Sequence, residues 1–142
     1  MNRLSFTLNR WLVDPHVWSV DDCIIAPLNW VSAVKGDGLD LAADLRHTYD
    51  DFGSAQRAYQ FFTDPLRMAV EYLEGRAGLA RVKTPVRGDV ALFKWAGQGG
   101  RILPTAGICV ARGQFACRAD PGVLAVSPNH LIAAWEVGYA GD

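Results

Sequence analysis

Over roughly the first 76 positions, apolar residues return every three or four places; beyond them they come in short β-branched runs separated by glycines. Leu4, Leu8, Trp11 and Leu12 fall on one helical face and predict a first helix that ends before Pro15. Asp21 and Asp22 offer N-cap carboxylates to a second helix, from Cys23 to about Val34, stopped by Gly36. Ile24, Leu28 and Val31 share one of its faces, with Trp30 beside them. Pro27 has no N–H and crowds the carbonyl four residues back, that of Cys23, so a strained or kinked first turn is expected there. A polar stretch then leads to a short helix around Leu41 to Leu45 and another from about Gly53 to Phe61. Pro65 suits the first position of a further helix, PLRMAVEYLEG, closed by Gly75.

The second half carries the runs ARV, DVALF, ILPTAGICVA, QFACRA, GVLAV and LIAAWEV. Helices first and strands after them define an α+β fold, with a helical half of about 1–76 packed on an antiparallel sheet half of about 77–142. No linker or repeat divides it, so residues 1–142 are expected to form a single domain. One hairpin can be placed closely. A three-residue loop Ala111-Arg112-Gly113, with Gly113 at positive φ, puts Gly107 opposite Cys117. Thr105, Gly107, Cys109 and Cys117 then share a face, whereas a two-residue loop would turn Cys117 to the other side.

Composition narrows the function classes. The formal net charge of −1 comes from scattered charges, which argues against the basic stripe of a nucleic-acid binder. No apolar run is long enough for membrane insertion. Ser5, Thr7, Asn9 and Arg10 interrupt any signal-peptide core, so a chain kept in a reducing cytosol, or built into a particle assembled there, is expected. The three cysteines, Cys23, Cys109 and Cys117, show neither paired spacing nor a C-x-x-C, so no disulfide framework, metal or cofactor is expected. GQGGR, Gly97 to Arg101, lacks the lysine and Ser/Thr of a phosphate loop and reads as a hairpin tip and contact surface. Trp18, Trp30 and Trp135 are expected in the core.

A helix opening with D-C, a later G-D-V strand, and a strand with G-I before a turn resemble the NlpC-like cysteine peptidases, papain-like domains that cut peptidoglycan peptides. Trp18, Asp22, Cys23 and Trp30 resemble, more narrowly, a small phage family related to them. So do Gly38, Asp40, Ala42, Leu45, Arg46 and Tyr49, followed by Gly88-Asp89-Val90, Gly107-Ile108, Gly122-Val123 and Ala134-Trp135-x-Val137. The likeness runs from Trp18 nearly to the end. It implies a papain-like fold and a place among phage tail genes, with neighbouring tail proteins (hub and tail-tip components) as partners and peptidoglycan peptide as a possible ligand. It further implies synthesis in the bacterial host cytoplasm and residence in the virion tail.

The same resemblance makes Cys23 the nucleophile position. A cysteine peptidase needs a thiolate, a base to form it and a group to orient that base. In the resembling enzymes the base histidine opens the x-V-G-I strand, where this chain has Thr105, and the orienting residue matches Cys117. A threonine hydroxyl accepts no proton near neutral pH. Of the histidines, His16 reads as a turn residue and His47 as solvated; His130, before the last strand, is the alternative base. Thr105 is expected to face the helix that starts at Cys23, with Cys117 on the same face and His130 out of reach, which leaves a small, mostly uncharged pocket lined by Cys23, Thr105 and Cys117. The resulting expectation is a degenerate peptidase that serves as a structural component of a tail tip or baseplate. Its rivals are a live cysteine peptidase or amidase acting during phage entry, and an assembly factor absent from the mature particle.

Overall fold

The computed structural model describes residues 2–96, 102–119 and 122–140. It is α+β, with helices in the N-terminal half and a five-stranded antiparallel sheet in the C-terminal half. Helix α1 (Arg3–Val13) is capped by Asn2, whose side chain accepts from Ser5 N–H at 2.7 Å. Leu4 and Trp11 are buried on its inner side, but Leu12 is 62% exposed: three positions of the expected stripe suffice to seat the helix, and the fourth falls at its edge. Helix α2 (Ile25–Lys35) begins two residues later than the pattern suggests. Pro27 explains the delay, because it has no N–H to offer the Cys23 carbonyl.

Residues 41–47 make consecutive turns in place of the expected short helix, and α3 (Phe52–Tyr59) follows behind a capping box of Asp51 and Ser54. Pro65 opens α4 (Pro65–Ala69), which passes into a π-helical turn at Val70–Arg76 where one continuous helix was expected. That turn exits through Gly78 at φ +69°, and Leu79 N–H returns to the Leu73 carbonyl at 2.9 Å.

The strands are β1 (Val90–Ala96), β2 (Ile102–Ala111), β3 (Gln114–Arg118), β4 (Val123–Val126) and β5 (Ala133–Trp135), in the order β4-β3-β2-β1-β5. Alternation along β1 and β2 sorts their side chains onto two faces. Val90, Leu92 and Ile108 join the larger core with α1, α2 and the helical connections; Ala91, Phe93, Cys109, Phe115 and Cys117 form a smaller cluster on the other face. The hairpin between β2 and β3 differs from expectation in form. Ala111 pairs with Gln114 across a two-residue turn, and a bulge between Cys109 and Ala111 restores the pairing of Ile108 with Ala116. The extra bulge residue does what a third loop residue would have done, so Gly107 still stands against Cys117. Gly97 to Arg101 lie outside the described residues.

Candidate functional site

Cys23 occupies the turn that leads into α2, and the residue before it organises that turn. Asp22 is fully buried; its Oδ1 accepts from Ile24 N–H at 2.8 Å and Ile25 N–H at 2.7 Å, and its Oδ2 from Ser19 N–H at 2.8 Å. Tyr49 Oη donates to the same Oδ2 at 2.5 Å. Asp22 is therefore the effective cap of α2, as its position before the helix suggested. Asp21 is not a cap: its Oδ2 takes a 3.0 Å bond from the guanidinium of Arg118 at the end of β3. The same buried arginine donates to the carbonyls of Trp11, Asp14 and Gly122, which ties α1 and the turn before Cys23 to the sheet. Its Nε finds no hydrogen-bond partner among the described residues.

A second anchor holds the C-terminal side of the site. Trp30, on α2, donates its indole N–H to the Gly88 carbonyl at 2.8 Å, just before β1. Gly88 has φ +94°, and a β-carbon there would meet the Tyr139 ring at 2.5 Å, so only glycine fits. Asp89, buried beside it, accepts from Val86 N–H and Val137 N–H. Asp40 and Arg46 form a two-pronged ion pair that also reaches Asn29. The residues that carry the resemblance are in this way joined to one another: Asp22 to Tyr49, Trp30 to Gly88, and Asp40 to Arg46.

Cys23, Thr105 and Cys117 line one cavity of about 200 Å³. Its walls come from Trp18, Phe52, Phe61 and Phe62 on the helical side and from one end of the sheet, including Trp95, Leu103 and Leu124. Trp18 is half-buried: it packs against the main core from a stretch with no regular structure and also forms a wall of this cavity. Thr105 pairs with Phe93, which places it with Cys117 on the face of the smaller cluster, while its neighbour Ala106 packs toward the helical core. The expected view of Thr105 straight onto the α2 helix is corrected accordingly. The three residues meet around a cavity at the end of the sheet.

The electrostatics disfavour a thiolate. Burial, and next the Asp22 carboxylate beside it, push the Cys23 thiol up to about 12; its own backbone N–H pulls the other way, and Cys117 adds a small upward push. Burial raises the Cys117 thiol to about 12 as well. A helix N-terminus activates a cysteine by offering free N–H groups and positive potential. Here Asp22 has taken the Ile24 and Ile25 N–H groups and placed a negative charge alongside. The signal was present in the sequence as an aspartate directly before the cysteine, but capping alone does not tell how much it takes from its neighbour.

No imidazole lines this cavity. The Thr105 hydroxyl is turned to the Leu103 carbonyl at 3.3 Å. His130 is exposed and lines a separate depression with Lys94, Trp95 and Ser127. His47 is exposed, and His16 is half-buried with its ring edge-on to Trp18 at 5.0 Å. Among the described residues no group of His, Cys, Asp and Glu is arranged to hold a metal, and no helix is long and apolar enough to cross a membrane. What the cavity offers is mostly apolar surface with two neutral thiols, a hydroxyl and part of Arg118, whose guanidinium is engaged by Asp21 and three backbone carbonyls.

The chain belongs to the family described as Domain of unknown function (DUF6950), which matches residues 1–137. No curated protein and no solved structure matches it.

Proposed function

We propose that this chain is a structural component of a phage, or phage-like, tail tip or baseplate, built on an NlpC-like, papain-like domain that has lost hydrolysis. One observation supports the loss of activity: the cavity at Cys23 is lined by no imidazole, and by Thr105 and Cys117, the residues that the motif resemblance matches to the base and its orienting group. A neutral thiol with no proton acceptor cannot open an acyl-transfer cycle. The tail assignment rests on the order of the matched motifs along the chain. In this reading the protein is made in the bacterial host cytoplasm, docks against hub and tail-tip neighbours, and keeps the old cleft as apolar surface.

Purified particles from cells carrying wild-type or Cys23→Ala chains test both parts. The chain should be found in the particle at fixed stoichiometry, and Cys23→Ala should leave assembly and infectivity near wild type. A chain absent from finished particles would favour an assembly factor. Intact particles that lose infectivity with Cys23→Ala would favour a peptidase acting at entry.

A further inference from the structure

The two edges of the sheet are treated differently. Beyond β5 the chain covers its own edge: Val82 N–H donates to the Ala134 carbonyl at 3.0 Å, Glu136 N–H to the Ala80 carbonyl at 2.9 Å, and Arg81 bridges Trp135. Beyond β4 no backbone hydrogen bond is made among the described residues. An open edge is a template for another strand, and proteins ordinarily guard one with lysine, proline or a bulge. β4 reads VLAV, without charge or proline, and its pairing to β3 runs without a bulge. Leu124 is 40% exposed and Ala125 is exposed.

We propose that β4 pairs with β4 of a second copy of this chain, antiparallel about a twofold axis, to make one continuous sheet across the dimer. Three observations favour a second copy as the occupant. A twofold through Ala125 sets Ala125 against its own copy and Leu124 against Val126, which keeps facing side chains on one side of the sheet and brings no like charges together. The formal net charge of −1 leaves little repulsion between copies. The third is area. A specific contact needs on the order of 1,000 Å² of buried surface, more than a four-residue edge covers. α1 lies against β4 and brings its unburied end to the same place: Leu12 stands beside Gly122, and Val13 is 75% exposed. Strand pairing supplies the register, and these side chains supply the added apolar surface.

Sedimentation velocity of the full chain over a concentration series tests this, with Ala125→Lys and Ala125→Glu as paired variants. Ala125 is exposed, so circular dichroism and melting should show both variants folded. Wild type should pass from monomer to dimer as concentration rises. Each variant should associate at least tenfold more weakly, about 1.4 kcal/mol or more, because the twofold brings its two new like charges together. An equimolar mixture of the Lys and Glu variants should recover the dimer. A wild type that stays monomeric throughout, or a dimer that neither variant weakens, overturns the proposal; so does a mixture that stays as weak as its components.

Discussion

Tyr49 donates its phenolic hydrogen to Asp22 Oδ2 over 2.5 Å, which fastens the far end of the segment 38–49 to the turn that presents Cys23. The carboxylate receives three backbone N–H groups besides this hydroxyl, all within a fully buried environment. Among the described residues its charge is therefore held by hydrogen bonds alone. That arrangement stabilises the turn and at the same time works against ionisation of the thiol next to it.

Removing the hydroxyl should be felt in stability. Tyr49→Phe is expected to cost about 1–3 kcal/mol, since a buried charged acceptor loses one of its donors. Asp22→Ala should cost more, because it leaves four donors without an acceptor. Urea unfolding of the two variants measures both. No loss for Tyr49→Phe would mean the bond contributes nothing, and equal losses would mean the three backbone N–H groups gain nothing from Asp22.

Gly107 offers a second test, of packing on the Cys117 face. A β-carbon there would lie 3.1 Å from Cys117 Sγ and 3.2 Å from both the Ala116 carbonyl oxygen and Phe115 Cβ. Gly107→Ala should destabilise by about 1 kcal/mol net, the crowding exceeding what a β-carbon gains by restricting the unfolded chain. In a Cys117→Ala background the penalty should shrink, because the nearest atom is gone. A penalty that stays the same in both backgrounds would place the strain elsewhere.

Much of this architecture could be read from the residues, and the failures have definite physical sources. The order of helices and strands follows from periodicity, and Asp22 as a cap follows from its place before an apolar run. The hairpin shows the limit of such reading: a three-residue loop, and a two-residue turn with a bulge, set Gly107 against Cys117 equally well. Asp21 looked like a cap because its partner, Arg118, is 97 positions away and leaves no local trace. The π-helical turn at Val70–Arg76 likewise has no signature in a pattern that suits an α-helix as well. At the site itself the cysteine, the threonine and the second cysteine were found by their motifs. That they share one pocket follows from the hairpin register; its place at the end of the sheet, and the cost of Asp22 to the thiol, needed the packed chain.

Stability should fall with pH on the alkaline side. Both Cys23 and Cys117 are raised to about 12 in the folded chain, against about 8.5 for an unconstrained thiol. The unfolded state then loses protons first, so the stabilisation is intact below about 8.5 and declines as pH climbs toward the folded values. Each thiol should contribute a slope on the order of 1 kcal/mol per pH unit in that window. Urea midpoints across the alkaline range, for wild type and Cys117→Ala, give the comparison. The variant should show the shallower decline; an identical decline would remove Cys117 from the explanation.

The central claim is that Cys23 has no base, and the pH profile of its alkylation tests that most directly. Iodoacetamide labelling, with the Cys23 adduct quantified by mass spectrometry, reads the thiolate fraction at each pH. With the thiol raised to about 12, the rate should climb roughly tenfold per pH unit from about pH 6 through about pH 10, without levelling. A rate already on a plateau near neutrality would mean that a cation holds the thiolate at Cys23, and the account of a lost catalytic site would be contradicted.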